Sequence, residues 1–278
     1  MITDLPTRRR ACATRLLTRL ATCAVLLFLA ACATHHAGTA VTPPRDGTEL
    51  LRRMHDAYAG RWFRTLTFSQ RTVQRRPDGT EQVSTWYEAM QSPDRLRIDF
   101  GSPREGNGVL YTADSVYVVR DGKVVRSLPQ GNVFLPFVGG AYTQPLERTV
   151  AQLRPYNFDL TRIHEDTWQR QRVWVVGSSS ASDLDSPQFW VDADRLIVLR
   201  VLAPLFQNAK SKSQDIHLDD YARVGASWVA TKIAMYDGDQ LRQSEEYSDW
   251  RVDVPIPADF FVAEKWRDVP HWTEGGRQ

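Results

Sequence analysis

From Thr65 to Trp250 the apolar residues of this chain recur close to every second position, a spacing that gathers side chains on one face only if the backbone is extended. Leu66, Phe68 and Val73 lead to Pro77-Asp78-Gly79; Val83, Thr85, Tyr87 and Ala89 alternate after it; Leu96, Ile98 and Phe100 follow Pro93-Asp94. Val109 to Tyr111, Val116 to Val119 and Val124 to Leu128 continue the pattern, the last two joined by Asp121-Gly122. It resumes with Arg172 to Val176, Phe189 to Val191, Leu196 to Leu202, Gln214 to Tyr221, Trp228 to Tyr236 and Gln240 to Trp250. Asp-Gly, Pro-Asp and Ser/Asp-rich turns separate the runs, as hairpins require. The chain is therefore expected to be mainly β, an antiparallel sheet of roughly ten strands or more in sequence order. A sheet of that size curls upon itself to hide its apolar face and edges.

Three segments break the period. Asp46 with Glu49 has the form of a capping box, and Leu50, Leu51, Met54 and Tyr58 follow at helical spacing, so one amphipathic helix opens the domain. Val133-Phe134-Leu135-Pro136-Phe137-Val138-Gly139-Gly140 is apolar but interrupted by proline and glycine, and Pro145 to Leu153 is weakly helical. Neither is a regular strand. A curled sheet encloses more space than its own side chains fill, so Phe134, Leu135, Phe137 and Val138 are expected to form the oily underside of a lid; the alternative is a loop that plugs an ordinary core. With one concave apolar face, the inward residues are expected to be Val83, Tyr87, Leu96, Ile98, Leu110, Val116, Val118, Trp174, Val176, Trp190, Leu199 and Val201, with any slip of phase replacing a strand's members.

The N-terminus carries a second constraint. Arg8-Arg9-Arg10, Arg15 and Arg19 precede the apolar run Ala24 to Leu29, and Leu29-Ala30-Ala31-Cys32 follows at once. That tetrapeptide resembles the lipobox of bacterial lipoproteins, which implies cleavage before Cys32 and acylation of its thiol. Residues 1–31 are then a signal peptide, 32–45 a lipidated tether rich in small residues and proline, and 46–278 a single β domain. The leader holds five of the 35 Lys+Arg and one of the 33 Asp+Glu, leaving the remainder at net −2, which removes any basic footprint for nucleic acid. Cys12, Cys23 and Cys32 all lie at or before the lipobox, which excludes disulfides, zinc-thiolate sites and cysteine nucleophiles from the domain.

Other chemistry finds little support. His35-His36 supply too few ligands for a closed metal site and read as tether. Ser178 to Ser180 with His164 and Asp166 lack a Gly-x-Ser-x-Gly elbow, and Asp183, Asp185, Asp192 and Asp194 lack the spacing of a calcium loop. His55, His217 and His271 are isolated. No catalytic constellation, metal site or cofactor is expected.

Local strings in their order resemble the lipoprotein-localisation carriers (LolA and LolB) and their lipoprotein-sorting relatives over most of residues 46 to 263. They are Ser92-Pro93-Asp94-Arg95-Leu96-Arg97-Ile98-Asp99, Phe189-Trp190-Val191-Asp192 with Leu196 to Val201, Tyr221 to Asp237, and Glu246 to Phe261 with its valine, proline and phenylalanine tail. The resemblance implies an incompletely closed antiparallel half-barrel around an apolar cavity, short lid helices, and acyl chains of a lipid or lipoprotein as cargo. It also implies outer-membrane attachment through Cys32, since Ala33 rather than aspartate follows the cysteine. One departure stands out: where the carriers place a lid-holding arginine before the proline, this chain has Ser92, with Arg95 and Arg97 as nearby substitutes. The alternatives are an envelope-stress sensor or partner-binding protein on the same half-barrel, and an enzyme acting on envelope polymers.

Overall fold

The computed structural model describes residues 42–180, 182–204 and 213–274; the leader, Cys32 and most of the tether lie outside them. The first element is α1 (Gly47–Tyr58), and the Asp46 carboxylate caps it by accepting the Glu49 amide at 2.7 Å. The Glu49 side chain does not return to Asp46. It accepts from the Arg45 amide at 3.0 Å and from the side chains of Arg45 and Arg53, tying the chain just before the helix to its first turns. Leu50, Leu51, Met54 and Tyr58 form the buried stripe, as their spacing predicts. Gly47 must be glycine, because a Cβ there would lie 2.4 Å from Val176 Cγ1.

Among the described residues thirteen strands follow in one antiparallel sheet. They are β1 (Thr65–Arg75), β2 (Glu81–Gln91), β3 (Arg95–Phe100), β4 (Gly108–Tyr111), β5 (Val116–Arg120), β6 (Lys123–Leu128), β7 (Ile163–Trp168), β8 (Gln171–Val176), β9 (Gln188–Asp192), β10 (Val198–Ala203), β11 (Gln214–Val224), β12 (Ser227–Asp237) and β13 (Gln240–Val252). Asp121-Gly122, with φ of 50° and 75°, makes the tight β5–β6 hairpin that the dipeptide predicts. The strand order is not one meander in sequence order. Two meanders, β1 to β6 and β7 to β13, meet where β1 pairs with β13, Leu66 opposite Val252 through Gln74 opposite Gln243. Nothing in local periodicity reports such a long-range pair, which is why the sequence alone misses it.

With β1 and β13 joined at the centre, β6 and β7 become the two free edges, and the sheet curls without closing. The chain must still travel from one edge to the other. Residues 129–162 make that crossing through a π-helical turn (Pro136–Gly140), α2 (Ala141–Thr143) and α3 (Leu146–Leu153). Their apolar side chains join α1 on the concave face: Phe137 packs its ring 4.9 Å from Phe189 and 5.6 Å from Phe158, with Leu135, Tyr142, Leu153 and Tyr156 buried beside them.

The convex face carries a second core. Here the C-terminal tail, through 3₁₀ turns Ala258–Phe261 and Ala263–Lys265, packs Phe260, Phe261, Ala263 and Trp266 onto Ala89, Leu110 and Val119. Arg97 holds it. Its buried guanidinium makes a bidentate pair with Asp99 at 2.9 and 3.0 Å, lies between the Phe260 and Trp266 rings, and donates to the carbonyl oxygens of both residues. Gly108 gives the tail its close approach, since a Cβ would stand 2.7 Å from the Trp266 indole. Arg97 is therefore a tail clamp and does not replace a lid arginine. It points away from the lid because it is one residue out of phase with Leu96 and Ile98.

Candidate functional site

Between the crossing segment and the concave face lies a cavity of about 300 Å³, at the lower end of the usual range for ligand sites. β1 contributes Leu66 and Phe68, β2 Trp86, Glu88 and Met90, β3 Leu96 and Ile98, and β4 Tyr111, each pair facing its cross-strand partner: Met90 opposite Leu66, Glu88 opposite Phe68 and Ile98. The opposite wall comes from Leu218 and Tyr221 of β11, Trp228, Val229, Ala230, Ile233 and Met235 of β12, and Gln243, Glu245 and Tyr247 of β13. Trp62 and Phe63, which join α1 to β1, complete the lining under the crossing segment. Trp62 stacks on Tyr142 with ring centres 3.8 Å apart and donates its indole N–H to the Val138 carbonyl at 3.0 Å.

All four residues expected to form the lid, Phe134, Leu135, Phe137 and Val138, line this cavity, but they divide in role. Leu135 and Phe137 are 2% and 1% exposed and belong to the core, whereas Phe134 and Val138 are half-buried. The Arg148 guanidinium fastens the segment by pairing with Asp94 in the β2–β3 turn. Ser92 sits at the same place, where a Cβ on Gly139 would come within 2.8 Å of its hydroxyl oxygen. A small residue at 92 thus lets the lid backbone approach, and a charged tie is made here by Arg148 and Asp94. Arg95 does not take part; its side chain reaches Gln91 at 3.2 Å.

Among the residues expected to face inward, Leu96 and Ile98 border the cavity. Val116 and Val118 share that face with their partners Tyr111 and Val109, one strand nearer the free edge. Trp174, Val176 and Val201 also lie on the concave side, through the pairs Trp174 with Val191, Val176 with Phe189 and Phe189 with Val201, but in solid core beside Phe137. The other five are elsewhere, each by a phase slip. Val83 and Tyr87 alternate opposite to Trp86, Glu88 and Met90: Val83 is 54% exposed, and Tyr87 faces the His271 and Trp272 rings. Leu110 belongs to the tail core. Trp190 stacks against the convex Arg200 guanidinium at 4.6 Å, and Leu199 is the extra residue of a register shift between Val198 and Arg200.

Two carboxyls interrupt the apolar lining. Glu245 accepts hydrogen bonds from Gln243 Nε2 at 2.6 Å and from the Tyr247 hydroxyl at 3.2 Å, yet burial outweighs these bonds and raises its pKa to about 7. Glu88 is 5% exposed, and its side chain has no hydrogen-bond partner among the described residues. Burial first, and the nearby Glu245 second, push its carboxyl well above the ordinary range. Among the described residues no lysine, arginine or histidine lines the cavity. Sequence reasoning passed over both glutamates. Glu88 stands in the phase of Trp86 and Met90, which was the available signal, whereas Glu245 lies in a polar run with no apolar alternation around it.

The residues considered for other chemistry are engaged locally. His164 Nδ1 lies 3.1 Å from the Ser178 carbonyl oxygen, while the Ser178 hydroxyl donates to the Ser180 carbonyl at 2.7 Å. Asp192 caps its own turn by accepting the amides of Asp194 and Arg195, and Asp183 does the same for Asp185 and Ser186. No group of three or more potential metal ligands occurs among the described residues.

The carboxyl of Glu245 sets an unusual pH dependence. Its folded pKa of about 7 stands above the ordinary 4.5, so the folded state binds the extra proton, and this contribution is complete below 4.5 and lost as pH rises through 7. Glu88 acts in the same direction. The unfolding free energy from urea titrations should therefore fall between about pH 5 and pH 8, with Glu245 alone contributing roughly 3 kcal/mol. Glu245→Gln should flatten the fall; an unchanged slope in that variant would contradict the assignment.

No protein-family profile and no curated protein sequence matches the chain. Solved structures do. A DUF1329 family protein from Desulfovibrio piger superposes with TM-score 0.52 at 13% identity, over 77% of this chain and 95% of that one. An outer membrane lipoprotein-sorting protein domain from Vibrio parahaemolyticus gives 0.51 at 13% identity, over 79% and 97%. A LolA superfamily protein from Nitrosomonas europaea gives 0.48 at 11% identity, over 76% and 97%. At such identities the likeness is one of architecture, and the architecture agrees with the family resemblance of the strings: this chain has the curled, unclosed antiparallel fold of the DUF1329 and lipoprotein-sorting structures.

Proposed function

We propose that this protein is a lipid-anchored envelope protein that shelters an acyl chain, free or attached to a lipoprotein, in the cavity beneath residues 133–140. The observation that carries the reading is the cavity itself: aromatic and aliphatic side chains from two meanders and from the crossing segment surround a space that the core does not fill. A hydrocarbon chain matches those walls and needs no hydrogen bond from them. The lipoprotein-sorting neighbour supports the reading by its fold, and the lipobox before Cys32 supports anchoring at the outer membrane.

A fluorescent, uncharged acyl ester titrated into the purified protein tests the reading. Saturable binding is expected. Phe134→Asp should weaken it about tenfold or more while moving the urea midpoint little, because Phe134 borders the cavity and is half-buried. Phe137→Asp should instead cost roughly 4 kcal/mol of stability, since its ring is enclosed by Phe158 and Phe189. A wild type that binds no ester would sink the proposal. Anchoring is checked separately: Cys32→Ser should lose metabolic acyl labelling and leave the membrane fraction, and labelling that persists would refute it.

A further inference from the structure

The cavity wall carries two carboxyls, Glu88 and Glu245, among mostly apolar side chains and the amides Gln130, Asn132 and Gln243, and the two carboxyls differ in how they are satisfied. Glu245 is held by Gln243 and Tyr247. Glu88 is just as buried, opens into the same space, and has no hydrogen-bond donor of its own among the described residues. A buried carboxyl left this way is costly, and the group that relieves the cost most is a cation that also donates hydrogen bonds. Among the described residues no such group is supplied: Glu88 is flanked by Phe68 of β1 and Ile98 of β3, and the titratable side chains that reach it electrostatically, Glu245 and Tyr247 from β13 and Tyr111 from β4, are all acids. A fatty carboxylate entering here would add a further negative charge with no basic residue among the described lining to meet it.

We propose that the cavity prefers amphiphiles bearing a primary ammonium group, an amine-headed lipid or acylated amine whose cation pairs with Glu88 within the field of Glu245, and that it rejects free fatty acids. The inference rests on the cavity being a ligand chamber, as proposed above, and adds what sort of head group enters it. Pairing requires Glu88 to give up its proton, so binding of the amine releases a proton to solvent and tightens as pH rises, as long as the ligand remains protonated. An alkylamine does so up to about pH 10, like a lysine side chain. The tyrosines facing the site stay neutral across that range, since burial raises each of them.

Decylamine, decanol and decanoate, each displacing the fluorescent ester from the full-length protein at about pH 6 and pH 8.5, provide the test. Decylamine should bind about tenfold or more tighter than either competitor at the higher pH, and only its affinity should rise between the two pH values. Glu88→Gln, which keeps size and removes the charge, should abolish the amine preference and its pH dependence, read as the ratio of decylamine to decanol affinity within the one variant; Glu245→Gln should reduce both. Equal displacement by decylamine and decanol in the wild type, or a preference that survives Glu88→Gln, would overturn the inference. The two proposals fail separately. Ester binding without amine preference removes only this one, direct calorimetric binding of decylamine without ester binding removes only the acyl-ester reading, and binding of neither removes both.

Discussion

The pairing of β1 with β13 is the interaction on which the remaining architecture depends. It joins residues near the two ends of the domain, Leu66 with Val252, and so turns two local meanders into one sheet. Because that pair occupies the middle, β6 and β7 are left as edges, and the chain between them has to pass from one edge to the other. The crossing segment packs on the concave face because Leu135, Phe137 and Tyr142 find their apolar partners there, in α1 and in Phe189. The cavity is the space that this crossing leaves between itself, β1 to β4 and β11 to β13.

Charge is distributed between the two faces with opposite logic. On the convex side Arg97 meets Asp99 and two aromatic rings, and Arg200 repeats the arrangement with Asp215 at 2.6 and 2.7 Å between Trp168 and Trp190. Both guanidiniums are buried, and both are satisfied by carboxylate and ring together. On the concave side the acids Glu88 and Glu245 have no basic residue beside them among the described residues of the cavity lining. The convex charges hold strands and tail in place, and the concave ones are left to a ligand or a proton.

Much of this was legible in the sequence because it is local. Period two gives the strands, Asp46 and Glu49 give the start of α1, Asp121-Gly122 gives a hairpin, and the proline and glycines of residues 133–140 mark that segment as something other than a strand. Face assignment was legible only where phase was secure. Leu96 and Ile98 reach the cavity, whereas Tyr87 and Leu110 face the tail, because an apolar residue marks either covered face and this sheet has two. The sequence strings pointed to a cargo cavity with oily walls, but the glutamates within it were visible only once β2 and β13 had been placed on either side of β1. Their positions 88 and 245 are too far apart in the chain for spacing to connect them.

The central claim is that an acyl chain enters this cavity and does not merely coat the surface. Three of the nine tryptophans, Trp62, Trp86 and Trp228, line the cavity, while Trp266 and Trp272 belong to the convex tail core. Quenching of tryptophan fluorescence by a bromine-substituted, uncharged acyl ester separates the locations directly. If the chain enters the cavity, quenching saturates, shrinks in Trp86→Phe and Trp228→Phe, and is undiminished in Trp272→Phe. Quenching that is lost in Trp272→Phe and kept in the two cavity variants would contradict the account.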